Sequence, residues 1–296
     1  MRPSPEPAGA PRRRSRLGRI GVYAVFLLAL FVLWEGLKFI GGDPWRYFGW
    51  EWHPPLKITT VNDQSLPHVW DIVAAMIGPY RRSADQSMFV YLGIKALYTW
   101  REAAIGFVLG GLLGVGLAAV FVHWQLVERA FVPYVVASQT IPIVALAPMI
   151  VFFFGNNVMS VVIIATYLTF FPVTIAMIRG LRSPDPRALE LMRSFAANRR
   201  TILWKLRLPA SLPYLFTALK ITATASIVGA IIGEGPGGIG DGLGWSIINF
   251  NQQYVTSPAR LWCAIFIAAL LGITFYALVR LVELRTLRGR PEASAG

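Results

Sequence analysis

The sequence predicts an all-α polytopic membrane protein with six transmembrane helices, and three observations predict it. Hydrophobic residues make up 55% of the 296 residues and charged residues only 15%, against the roughly 25% charge of soluble globular chains. The apolar residues gather into six runs close to the ~20 residues a helix needs to cross about 30 Å of hydrocarbon, where lipid offers backbone polar groups no partner. Lys and Arg collect in blocks between those runs. With 10 Trp, 18 Phe and 10 Tyr, disorder is excluded. The net charge of +13 is not spread as a basic stripe interleaved with aromatics, so nucleic acid is no expected partner and the lipid bilayer is.

The first span covers 20–40, after a basic tail over 1–19. Its apolar stretch is too long for a secretory leader, and Trp34-Glu35-Gly36-Leu37 holds no small-residue cleavage site. An uncleaved anchor is expected. Glu35 and Lys38, three apart near its end, suit snorkelling or pairing with each other. Segment 41–101 follows as a loop. Trp45, Tyr47, Trp50 and Trp52 suit an interfacial belt. Val69, Ile72, Val73, Met76 and Ile77 then share one helical face, fitting either a surface helix or a docking element.

A five-helix core is expected over 102–283, with spans near 103–122, 131–154, 158–178, 214–232 and 262–282. The run at 131–154 carries Ser138, Gln139 and Thr140 with Pro142 and Pro148, and that at 214–232 carries Thr222, Thr224 and Ser226. Proline frees carbonyls and small hydroxyls permit close packing, so both sets suit either a translocation path or ordinary helix contacts. Gly233 opens GEGPGGIGDGLG, a glycine cluster without the Lys of a phosphate loop; it reads as a connector or a gate, with Glu234 a candidate pathway residue. Cys263 sits in an apolar run and reads as packing; the three His are too scattered for a metal site. No catalytic or nucleotide motif is evident, so no enzyme and no cofactor on this chain are expected.

Orientation follows from Lys and Arg. With the N-terminus inside, the inner segments hold six, one, eight and four of the 28, while the outer connection before the last span holds only Arg260. Both termini, including the tail 284–296, are expected in the cytoplasm.

The longest inner connection, 180–213, is GLRSPDPRALELMRSFAANRRTILWKLRLPASLP. Asp185-Pro186 is an N-cap followed by proline in the first turn. Leu189, Met192 and Phe195 share a face, and a second short helix through Ile202, Leu203 and Leu206 is expected to end at Leu208-Pro209. Such a pair suits a protein groove. Its residue order resembles the EAA loop of ATP-binding cassette importer permeases: Glu190 matches the acidic residue and Leu208-Pro209 the ending, whereas Leu191 and Met192 replace the alanines and Ala196 the glycine at the turn. Asn198, tolerant of left-handed geometry, is expected to serve that turn. GFVLGGLLGV, SQTIPIVALAPMIVFFFG and IIATYLTFFPVTIAMIRGL extend the likeness over 97–283 to the nitrate, sulfonate, taurine and thiamine-precursor permeases.

The resemblance implies a type I importer architecture in the bacterial cytoplasmic membrane. It implies a second copy of the chain, two cytoplasmic ATP-binding subunits that carry ATP and Mg²⁺, and an extracytoplasmic solute-binding protein. By position, Glu190, Leu191, Met192, Arg193, Ser194, Phe195, Ala196 and Ala197 form the docking helix, with Arg193 and Phe195 its anchors. An ion-coupled transporter and a scaffold whose inner loop only recruits a partner are the competing readings.

Overall fold

The computed structural model describes residues 16–47, 50–56, 58–81, 85–235 and 238–288, so Arg12, Arg13, Arg14, Pro236 and the tail beyond Arg288 lie outside. The chain divides at Val73 into two units.

The first unit is α1 (Arg16–Ile40), a hairpin of β1 (Trp45–Tyr47) and β2 (Trp50–Trp52), and the start of α2 (Val69–Ile77). The hairpin pairs Trp45 with Trp52 and Tyr47 with Trp50. Glu35 and Lys38 do not pair with each other. Both are buried, and each is satisfied by the segment that folds over the end of α1. Glu35 Oε1 accepts the Val69 N–H at 2.9 Å and Oε2 meets His68 Nδ1 at 2.7 Å. A carboxylate thus sits at the N-terminus of α2, where free N–H groups and the helix dipole favour it. Lys38 Nζ bonds the Asp63 carboxylate and, at 2.6 Å, the Leu66 carbonyl. Sequence spacing could not show these partners, which lie 25 to 34 residues away. The aromatic residues do more than form a belt: Trp52 stacks on Phe39 at 4.5 Å and donates to the Phe39 carbonyl, and His68 stacks on Trp70 at 4.3 Å. Of the apolar face expected on α2, Ile72 is buried while Val73 and Ile77 are exposed.

The second unit holds α3 (Met88–His123), α4 (Gln125–Ser138), α5 (Ile143–Phe154), α6 (Val158–Arg182), α7 (Pro186–Ser194), α8 (Arg199–Ile202), α9 (Leu208–Gly233), α10 (Gly242–Gln252) and α11 (Pro258–Thr286). Among the described residues five helices are long and apolar enough to cross a membrane, or six if α4 and α5 form one broken span. The core is α6 packed between α3 and α9. Gly106, Gly110 and Gly114 form a ridge on α3 at four-residue spacing, and a Cβ at any of them would overlap Ala165, Thr169 or Phe170 of α6. Small residues at this period let helix backbones approach without side-chain clash, the main way apolar helices gain contact in lipid. Around the ridge Ala103, Val161, Ala223, Ile227 and Phe275 are buried together.

Three expectations change. The third apolar run is not one helix: α4 and α5 meet at 99°, with the break at Gln139–Pro142, where proline cannot supply the next ladder donor. The segment 88–101 is no loop, because α3 begins at Met88, capped by Ser87, well before its apolar run. The glycine cluster leads into α10, an unanticipated helix whose N-cap is Asp241.

Candidate functional site

Two constructions lie at opposite ends of α9. The first is the connector between α6 and α9. Asp185 Oδ1 accepts the Arg187 N–H at 2.8 Å with Pro186 in the first turn, so α7 starts as its cap dictates. The helix stops at Ser194, earlier than the 190–197 span expected. The Ala197 N–H reaches back to the Met192 carbonyl at 3.0 Å and the Ala196 N–H to that of Arg193 at 2.9 Å, the paired bonds of a Schellman turn, which satisfy carbonyls that α7 would leave open. The turn needs a left-handed residue, and Ala196 takes it at φ 52°. Asn198 does not supply that geometry. It is extended (φ −73°, ψ 163°) and caps α8 by accepting the Thr201 N–H at 2.7 Å. Leu208-Pro209 does not end a helix either. Residues 203–207 form a π-helical turn that joins α8 to α9, placing Pro209 in the first turn of α9, where its missing N–H is harmless.

The connector therefore holds a fixed shape, yet presents Leu191, Phe195 and Trp204 to solvent; Phe195 is 79% exposed. Glu190, Arg187, Arg193, Arg199, Arg200 and Lys205 are exposed beside them. Met192 and Ala197 are half-buried beneath the turn.

The second construction joins α3, the end of α9 and the start of α10. Lys95, Thr99 and Glu102 follow one face of α3 in line with the glycine ridge. Lys95 Nζ pairs with Asp241 Oδ1 at 2.5 Å, and Thr99 Oγ1 accepts the Leu243 N–H at 2.9 Å. Glu234 Oε2 accepts the Gly244 N–H at 2.7 Å. Burial raises the Asp241 carboxyl, but Lys95 and the Gly242 N–H outweigh it and leave the group below its ordinary value. Gly242, at φ 86°, lies so close to the Glu234 carboxyl that a Cβ would overlap it, and a Cβ on Gly244 would strike the Ile231 carbonyl. Lys95, Thr99 and Glu102 escaped the sequence reading because charge and apolar content there resemble a loop; their spacing of four and three residues was the available signal.

The expected pathway residues are not brought together. Ser138, Gln139 and Thr140 occupy the break between α4 and α5; the Ser138 hydroxyl donates to Val135 O and the Tyr167 hydroxyl to Ser138 O. Thr222 and Ser226 are buried and bond carbonyls of their own helix, Ala218 and Ala223. Thr224 faces an apolar groove between α9 and α11. Glu234 is buried in the second construction.

The family described as "Binding-protein-dependent transport system inner membrane component" matches residues 106–288. The chain belongs to this family of ABC importer permeases. It is 35% identical over 227 residues to the formylaminopyrimidine transport permease protein ThiX of Halalkalibacterium halodurans, across 73% of this chain and 88% of that one. It is 34% identical to the riboflavin transport system permease protein RibX of Chloroflexus aurantiacus, across 54% and 59%. A solved amino acid ABC transporter structure superimposes with a TM-score of 0.53 at 16% identity, covering 67% of this permease and 95% of that chain, and so shares its fold.

Proposed function

We propose that this permease is the transmembrane subunit of an importer in the bacterial cytoplasmic membrane, with both termini in the cytoplasm. It works with a second copy of itself, two ATP-binding subunits and an extracytoplasmic binding protein, and ATP and Mg²⁺ belong to the ATP-binding subunits. The carrying observation is the connector: a capped helix and a Schellman turn hold Leu191, Phe195 and Trp204 out into solvent among cationic side chains. Exposed apolar groups on a segment too polar to enter lipid call for a protein groove, and the six Arg and Lys between Arg187 and Arg207 favour an acidic rim around it.

The mechanism follows from continuity. From Arg199 to Gly233 the chain is one helical rod of 35 residues, roughly 50 Å long at ~1.5 Å rise per residue. ATP binding that draws two connectors together moves the near ends of both rods, and their far ends move with them. Such alternating access opens the path to the binding protein, and hydrolysis resets it. Two relatives at 34% and 35% identity are named for riboflavin and formylaminopyrimidine transport, which supports a small heterocyclic solute over an inorganic anion.

The test is vanadate-sensitive ATPase activity of the complex co-purified with its ATP-binding subunit. Phe195→Ala and Arg193→Ala should lower co-purification and solute-stimulated hydrolysis while leaving membrane insertion intact. Uptake persisting without ATP points instead to ion-gradient transport, and binding of the ATPase without any transport phenotype to a scaffold.

A further inference from the structure

Lys220 is the one charged residue of α9, and Glu283 stands three residues before the end of α11. Lys220 Nζ donates to Glu283 Oε1 at 2.9 Å and lies 2.8 Å from Oε2, with the two side chains 22% and 17% exposed. Neither charge serves its own helix. Lys220 interrupts an apolar span, and Glu283 sits at a helix C-terminus, where the dipole opposes an acid. Arg280 and Arg285 beside it on α11 are exposed, and the carboxylate turns instead to α9. An ion pair withdrawn this far from water adds little net stability, and apolar residues of like size would pack there as well. What the pair adds is direction. Beyond it, α9 and α11 face each other across an apolar groove of about 430 Å³, with Ile227, Val228 and Ile231 on one wall and Ala268, Gly272 and Ile273 on the other. Thr224 in this groove spends its hydroxyl on the Ile221 carbonyl of its own helix, at 2.8 Å. Apolar contacts of this kind are non-directional and hold no particular position along the helix. Phe275 meanwhile gives α11 a competing hold on α3, meeting Trp100 and Phe107 edge to face at 6.1 and 5.0 Å.

We propose that the Lys220–Glu283 pair is a registry pin: it fixes the position of α11 along α9, so that the last helix is carried with the rod when the connector moves. Lys220 stands roughly 30 Å along the rod from Arg199 at ~1.5 Å rise per residue, so the tie joins α11 to the rod part-way between the connector and the far end at Gly233. One turn past Glu283, Leu287 packs on the cluster that holds Ala223, Ile227 and Phe275, which keeps this end of α11 against the core. Lys220 and Glu283 are positioning residues. The carrying role rests on the alternating-access reading above, whereas the register of the resting chain does not depend on it.

The experiment measures spin-label distances on the full chain in lipid nanodiscs, with Cys263→Ala removing the native thiol and nitroxides placed at the exposed positions of Val228→Cys on α9 and Leu284→Cys on α11. The resting chain should give one narrow distance. In the apolar pair Lys220→Met/Glu283→Leu that distance should shift or broaden by about 5 Å, one helical turn, without loss of thermal stability. The charge-reversed pair Lys220→Glu/Glu283→Lys should restore it. A distance that stays narrow in the apolar pair overturns the proposal. So does a melting temperature that falls in the apolar pair and recovers on charge reversal while the distance never changes, since the contact then only stabilises. The same labels are read in the complex with the ATP-binding subunit, before and after trapping with MgATP and vanadate. The distance should hold in wild type, and a change of 5 Å or more would mean that α11 stays with α3 and is not carried. Failure of the ATP-binding subunit to associate would refute the importer reading and leave the register to be decided by the resting chain.

Discussion

Ala196 offers a sharp test of how the connector is built. It is the described non-glycine residue with positive φ, at 52°, where an L side chain crowds the neighbouring carbonyl at a cost of about 1–2 kcal/mol. Replacing it with glycine removes that strain and leaves both Schellman hydrogen bonds in place, since they use only backbone atoms. Glycine also frees the unfolded segment, returning about 0.5–1 kcal/mol of entropy cost. The net gain is about 0.5–1 kcal/mol, a roughly two- to fivefold smaller open population. Hydrogen exchange of peptides covering 186–202, measured on the full chain in nanodiscs, should slow by that factor in Ala196→Gly. It should quicken in Ala196→Val, whose β-branch fits left-handed backbone worst. Faster exchange in Ala196→Gly, or an equal gain from Asn198→Gly, would refute the assignment of the turn to Ala196.

Other expectations test the rest of the molecule. Gly244→Ala forces a Cβ onto the Ile231 carbonyl and should cost about 1–3 kcal/mol, read as lower thermal stability in detergent and lost exchange protection at Leu243; unchanged stability counts against the close wrap over α9. Glu35→Ala strips the Val69 N–H and His68 of their acceptor and should expose residues 63–72 to limited proteolysis, whereas Glu35→Gln, which still accepts the N–H, should do so less. Asp241 is depressed by Lys95 and the Gly242 N–H after offsetting its burial. Its contribution is thus present above the unfolded carboxylate value of about 4 and lost as pH falls through the lower folded value. With Asp241 partly exposed, Asp241→Asn should lower stability by less than about 1 kcal/mol at pH 7, and the gap should close only below about pH 4 in a melting series. A gap that widens on acidification would reverse the sign of that linkage.

Much of the permease was legible residue by residue. Apolar runs marked α1, α6, α9 and α11 because in lipid a backbone must satisfy itself, so length and composition suffice. Asp185-Pro186 announced the start of α7 because capping is a contact between neighbours in sequence. The family likeness in the connector, first visible in Glu190 and Leu208-Pro209, is matched by the family assignment over 106–288. Local pattern was less able to say how helices end. Ala196 carries no mark of a left-handed residue, and the π turn at 203–207 owes nothing to composition.

By itself, then, the sequence determined what depends on near neighbours and on the solvent: a polytopic helical chain and the cap that starts α7. Tertiary structure alone decided which charges meet. Glu35 reaches His68 across 33 residues, and Lys95 reaches Asp241 across 146. The physical reason is that a buried charge is stable only with a partner at a few ångströms, and which residue stands there is set by how helices pack.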